Sequence, residues 1–182
     1  PEIKFSYKFE ENLSQVYKKE NFNNEGFKQR ILEVFQDDFF SNSLLVENKI
    51  QSDLGDIKLR GFISIPSYNK VNQSYQFLFV NGRPVQDRGL SSVVRLSYRD
   101  NLPRGRHPLY CLMLDLSNDQ IDVNVHPTKL EVKFQNYEFL KSFVINSITK
   151  ALQIINYIKI SKTFNISEIS NNFPSHKNEL EE

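Results

Sequence analysis

Apolar and polar residues alternate over positions 3–9, where Ile3, Phe5, Tyr7 and Phe9 face one way and their polar neighbours the other. A period of two marks a half-buried strand, because successive side chains of a strand point to opposite faces of a sheet. The period then changes: Phe27, Ile31, Val34 and Phe35 recur at steps of three and four, which places them on one face of a helix over about 26–36. A strand-like run returns at 43–47. It is followed by strict alternation of Ile57, Leu59, Gly61, Ile63 and Ile65, stopped by Pro66, which lacks a backbone donor. The polar stretch 67–74 reads as a loop. Residues 75–80 read as a strong strand running into Asn81-Gly82, a dipeptide suited to left-handed turn geometry.

In the second half, Leu90, Val93, Val94 and Leu96 suit a helix over about 89–98, with Arg88, Arg95 and Arg99 near one exposed side. A breaker-rich loop, 101–107, precedes a buried strand at 109–116 and a turn at Ser117-Asn118-Asp119. The next strand carries Ile121, Val123 and Val125 on one face and Asp122, Asn124 and His126 on the other, and ends at Pro127. After a short strand at 131–134, Tyr137, Leu140, Val144, Ile148, Ala151 and Ile155 repeat at helical spacing and predict one long helix over about 137–159. Beyond Ser161 the pattern weakens, so 161–182 is expected to be a disordered tail or linker. The irregular succession of strands and helices predicts an α+β fold, an α/β sandwich in which a mixed sheet carries helices on one face.

Composition sharpens this reading little. A chain of 182 residues with 39% hydrophobic and 25% charged residues has the size and balance of one globular domain, and its 15 Phe and 8 Tyr must fill much of the core. The lone Cys111 lies in an apolar run, so no intramolecular disulfide exists and a buried, inert thiol in a reducing compartment is expected. His107, His126 and His176 are scattered without zinc-ligand spacing, and no metal site is expected. No apolar run approaches the roughly 18–20 residues of a membrane span, and the first residues do not read as a signal peptide. The chain opens in mid-pattern without an initiator Met and is read as an excised fragment.

Charge does change the picture. The net charge is only +1, yet six of the eight arginines, Arg83, Arg88, Arg95, Arg99, Arg104 and Arg106, fall within one stretch that holds only Asp87 and Asp100 as acids, a local charge of +4. Positive side chains spread along a surface suit contact with nucleic-acid phosphates, and no element suited to reading bases in a groove is evident.

Two segments go beyond pattern. Phe79-Val80-Asn81-Gly82-Arg83 resembles the "VNGR" segment of MutL homologues, and 122–134, from Asp122 through Asn124, His126, Pro127, Thr128, Lys129 and Glu131 to Lys133 and Phe134, matches their "DVNVHPxKxEVRF" signature almost letter for letter. Lys133 stands where that signature usually has Arg. The likeness covers roughly 25–160. It implies the second, transducer domain of a GHKL-type DNA mismatch-repair ATPase, similar to the second domain of ribosomal protein S-five, at 21–160. Residues 1–20 would then be the end of, or junction from, an ATPase domain that the chain lacks. The resemblance further implies that Lys129 contacts the ATP γ-phosphate, that Asn124, His126, Pro127 and Thr128 support its loop, and that Arg88 above all binds DNA.

By the same resemblance the fragment is no enzyme alone. ATP and Mg2+ belong to the full-length protein, and none is expected to bind this fragment tightly. The partners implied are double- or single-stranded DNA, a second MutL-type subunit in a homo- or heterodimer and a MutS-type mismatch-recognition protein. The location implied is intracellular, in a bacterial cytoplasm or a eukaryotic nucleus, away from membranes. Two readings compete. A type II topoisomerase transducer shares the fold but presents its lysine in a Gln-Thr-Lys loop, where this chain has Pro127-Thr128-Lys129. A stand-alone nucleic-acid-binding module of the S-five type explains the arginines but not the 122–134 signature. A catalytic cluster of Asp122, His126 and Lys129 lacks an activated nucleophile or metal-ligand set.

Overall fold

The computed structural model describes residues 4–9, 13–17, 24–35, 37–52, 55–117, 120–122 and 133–171. The first strands, β1 (Phe5–Phe9) and β2 (Leu13–Tyr17), pair antiparallel, and α1 (Asn24–Phe35) and α2 (Asp37–Ser41) follow them. Then come β3 (Ser43–Ser52), β4 (Gly55–Ser64), β5 (Asn69–Lys70), β6 (Gln76–Val80), β7 (Arg83–Val85) and α3 (Arg88–Ser97). The chain continues through β8 (His107–Pro108), β9 (Tyr110–Leu116), β10 (Ile121–Asp122), β11 (Lys133–Phe134) and α4 (Tyr137–Asn171).

Five strands form the main sheet in the order β3-β4-β9-β6-β7. Only β6 and β9 run parallel; the other neighbours are antiparallel, which makes the sheet mixed. The α+β class and the mixed sheet are therefore as expected. On one face, Ile57, Leu59 and Ile63 of β4, Leu112 and Leu114 of β9, and Leu78 and Val80 of β6 join Leu90, Val93 and Val94 of α3 and Leu140, Val144 and Ile148 of α4 in one buried cluster. Each such aliphatic side chain, taken wholly out of water, contributes about 1.5–3 kcal/mol before conformational entropy is set against it.

The helices are not confined to that face. Ile31 and Phe35 of α1 and Phe39 of α2 bury themselves on the opposite side with Leu109 and Cys111, flanked by Phe62, Phe77 and Phe79. The cause is in the strands: β6 reads Phe77-Leu78-Phe79-Val80 and β9 begins Tyr110-Cys111-Leu112, apolar at successive positions, so both faces need cover. The aromatic contacts there are close, with the Phe35 and Phe39 ring centroids 4.2 Å apart and Phe40 edge-on to Phe62 at 4.9 Å. Cys111 is buried as expected, and desolvation pushes its thiol up to about 12, which leaves it protonated and inert.

Other differences concern boundaries. The short elements β2, α2, β5, β7 and β8 carry too few residues to show a period. The final helix continues to Asn171 instead of stopping near 159, because neither Gly nor Pro interrupts the chain between Tyr137 and Pro174. Among the described residues no helix is long and apolar enough to cross a membrane. The expected strand at 121–126 is described only at Ile121 and Asp122; 123–132 and 172–182 lie outside the described residues.

Two local contacts lock the layers. The buried Tyr98 hydroxyl, just past α3, donates to the Ser64 carbonyl at 2.6 Å, and the Ser64 hydroxyl accepts from the Leu109 amide at 3.1 Å. Gly61, at φ +144°, lies against β9 so closely that a Cβ there would stand 2.1 Å from the Cys111 carbonyl oxygen. Tyr98→Phe should cost about 1–3 kcal/mol by stranding the Ser64 carbonyl, and Gly61→Ala about 2–4 kcal/mol through strain and a displaced strand. Urea unfolding measures both; an unchanged midpoint for Tyr98→Phe would show that the hydroxyl contributes nothing.

Candidate functional site

The turn at Asn81-Gly82 is built for its place. Asn81 takes φ +47° and Gly82 φ +76°, and the Asn81 side chain bridges to the end of β9, donating to the Leu116 carbonyl at 2.9 Å and accepting from its amide at 2.8 Å. This pair of hydrogen bonds fixes the β6–β7 hairpin, in which Val80 pairs with Arg83, and so aims the chain into α3. Asp87 caps α3: its side chain accepts from the Leu90 amide at 2.7 Å. Gly89 follows because a Cβ there would stand 2.6 Å from the Tyr137 hydroxyl. Burial first, then the charges of Asp87 and Glu138, raise the phenol of Tyr137 above its ordinary value and keep it protonated beside the cap.

All six clustered arginines are exposed, but only two of them share a cleft. Arg83 lies on β7, and Arg104 and Arg106 lie in the loop before β8. Arg99 lies beyond the end of α3 beside Asp100, at 3.4 Å in a solvent-exposed pair worth little. Arg88 and Arg95 alone of the six line a common cleft of about 520 Å³ between α3, the β6–β7 hairpin and β8. They stand seven residues apart on α3 with Ser91 and Ser92 between them, positions that share one helix face. Arg88 occupies the first turn, where the helix's own N-terminal dipole is already positive, so both fields favour an anion there.

Residues that the sequence did not single out complete the cleft: Gln73, Gln76, Gln86 and His107. The Gln76 amide is held by donating to the Pro108 carbonyl at 3.0 Å. Tyr110, at the cleft floor, donates to the Ser91 hydroxyl at 3.4 Å, and its phenol is raised by burial. The available signal was the Arg-Ser-Ser-Arg spacing along α3; nothing in the sequence ties residue 73 or 107 to that face. Lys129, Asn124, His126, Pro127 and Thr128 lie outside the described residues. Their segment is bracketed by β10 and β11, which pair antiparallel with Ile121 opposite Phe134 and Asp122 opposite Lys133. Among the described residues no group of three or more His, Cys, Asp or Glu side chains converges as metal ligands would.

Known proteins place the chain. Residues 31–153 match the family model described as DNA mismatch repair protein, C-terminal domain. The DNA mismatch repair protein MutL of Rickettsia felis is 38% identical over 153 residues, covering 84% of this chain and 24% of that protein. MutL of Bartonella tribocorum is 35% identical with the same coverage. The chain thus spans about a quarter of the length of the curated relatives it matches. A crystal structure of the N-terminal domain of a DNA repair protein shares the fold with a TM-score of 0.68 at 22% identity, over 85% of this chain and 49% of that one. With the family model matched through the sheet, α3 and the first part of α4, the chain belongs to the MutL family of DNA mismatch repair proteins.

Proposed function

We propose that this chain is the transducer domain of a longer MutL-type mismatch repair ATPase, carrying a DNA-phosphate-binding surface and a lysine that contacts the nucleotide. The observation that carries the DNA reading is the shared cleft of Arg88 and Arg95 at the positive end and along one face of α3. Arg83, Arg99, Arg104 and Arg106 lie outside it and serve as peripheral contacts to the same duplex or single strand. Binding of this kind is sequence-independent, since the cleft presents cations and hydroxyls from a surface rather than an element inserted in a groove.

Lys129 is assigned to the γ-phosphate of ATP, with the nucleotide and its Mg2+ held elsewhere in the longer protein. Support comes from the 122–134 signature, in which Lys129 follows Pro127, a residue without a backbone donor, between the paired strands β10 and β11 in the sequence. By the same signature Asn124, His126, Pro127 and Thr128 are assigned to support Lys129. An ammonium about 4 Å from one phosphate charge gives about 4 kcal/mol at an effective dielectric near 20, before desolvation. Such a contact exists with ATP and is lost with ADP, so nucleotide state controls how the domains are held, and through them pairing with a second MutL-type subunit and a MutS-type partner inside the cell.

Arg88→Glu should weaken binding of this chain to any duplex by a similar factor whatever its sequence, and lower the salt slope by about one unit per lost contact. Fluorescence anisotropy across a salt series reads this, and an unchanged affinity and slope sinks the phosphate reading. In the longer protein, Lys129→Ala should slow ATP turnover greatly while the thermal unfolding of this domain stays put. Wild-type turnover in that variant rules out the nucleotide contact.

A further inference from the structure

We infer that His107 is a third ligand for a DNA backbone phosphate in the α3 cleft, alongside Arg88 and Arg95, and that it takes up a proton as the phosphate seats. The inference rests on the phosphate-binding reading of that cleft and adds both a residue and a linked proton to it. His107 reaches the cleft from the wall opposite α3, held there by the β5–β8 pair in which it faces Lys70. The Gln73 side-chain amide nitrogen lies 3.4 Å from its Nδ1. An amide N–H can donate to Nδ1 only when that atom carries a lone pair. With the amide donating to Nδ1 the neutral ring keeps its proton on Nε2, a donor available for an oxyanion; when Nδ1 takes up a proton, the same amide can turn its oxygen to accept from it.

Burial and the positive charges around the ring both disfavour its protonated form. Arg95 and Arg88 line the same cleft from α3, Lys70 is its cross-strand partner on β5, and Arg106 precedes it in the chain. Among the described residues Asp87 is the one acid lining the cleft, and its Oδ1 accepts from the Leu90 amide. The neutral phenol of Tyr110 adds no charge. Partial burial first, and the Arg95 guanidinium second, hold His107 below its ordinary value. A phosphate between Arg88 and Arg95 reverses that balance, because an opposite charge within about 4–6 Å favours the protonated ring by about 1–3 pH units. The sign follows. The bound state holds the proton at higher pH than the free state, so affinity rises as pH falls through the bound-state value and levels off below the free-state value.

The test uses this chain, a short fluorescein-labelled duplex and anisotropy at constant salt. Wild-type affinity should rise about three- to tenfold from about pH 7.5 to about pH 5.5. His107→Gln, which keeps a donor but cannot titrate, should lose that rise with an unchanged circular dichroism spectrum, and His107→Lys should bind with no pH dependence in this range. Arg88→Glu should weaken binding at both ends of the range. A pH response in His107→Gln equal to that of wild type, with Arg88→Glu still weakened, overturns the role of His107 and leaves the phosphate cleft standing. Unchanged affinity in Arg88→Glu overturns the cleft and the inference with it.

Discussion

Strand β9 must be buried on both of its faces, and the rest of the molecule is arranged to satisfy that demand. It is hydrogen-bonded to β4 on one side and to β6 on the other, at the centre of the sheet order. Its even-numbered residues, Tyr110, Leu112 and Leu114, enter the large core under α3 and α4, while Cys111 enters the smaller core under α1 and α2. A slip of one residue in its pairing would exchange these two sets and leave the deep sites of α3 and α4 facing the wrong side chains. Gly61 enforces the register from the neighbouring strand, since β9 approaches it too closely for any larger residue.

That same strand governs where the charges end up. Asn81 is bound through its side chain to the last residue of β9, so the β6–β7 hairpin and the start of α3 inherit their position from the sheet centre. Of the charged pairs elsewhere, Lys49 with Asp56 at 2.8 Å and Lys58 with Glu47 at 3.7 Å lie exposed across β3 and β4. They sit on the rim of the sheet, where they contribute little to stability and keep the long outer strand soluble. The Lys49 ammonium and the Gln51 amide hold the Asp56 carboxyl below the usual carboxylate range.

Elements long enough to show a period were legible in the sequence: the alternation from Ile57 to Ile63, the Phe27–Phe35 helical spacing and the repeat from Tyr137 onward all correspond to described elements. The two-residue strands β5 and β8 were not, because each exists only through a partner distant in the chain, as Lys70 does opposite His107. The second helical layer was missed for a related reason. A continuous apolar run such as 77–80 says that both faces are buried without saying what buries them. Of the site, the arginine cluster was visible as composition, but its division into two residues that share a cleft and four that do not depends on the hairpin and on where α3 ends. His107 and Gln73 approach α3 only through the folding of β5 onto β8, which no local pattern encodes.

Helix α3 is pinned at both ends. At its start Asp87 closes the first turn and Gly89 is pressed beneath the Tyr137 ring; at its finish Tyr98 is tied to Ser64, deep in the sheet. The backbone that carries Arg88 and Arg95 has therefore surrendered its conformational freedom on folding, long before any ligand arrives. What remains to be ordered on contact with an anion is side-chain rotation alone, about 0.5–1.5 kcal/mol for each long side chain. A surface prepared in this way would engage an anion without refolding: the rate of capture would be set by diffusion through the local field, and the heat of binding would carry no signature of a coupled folding transition.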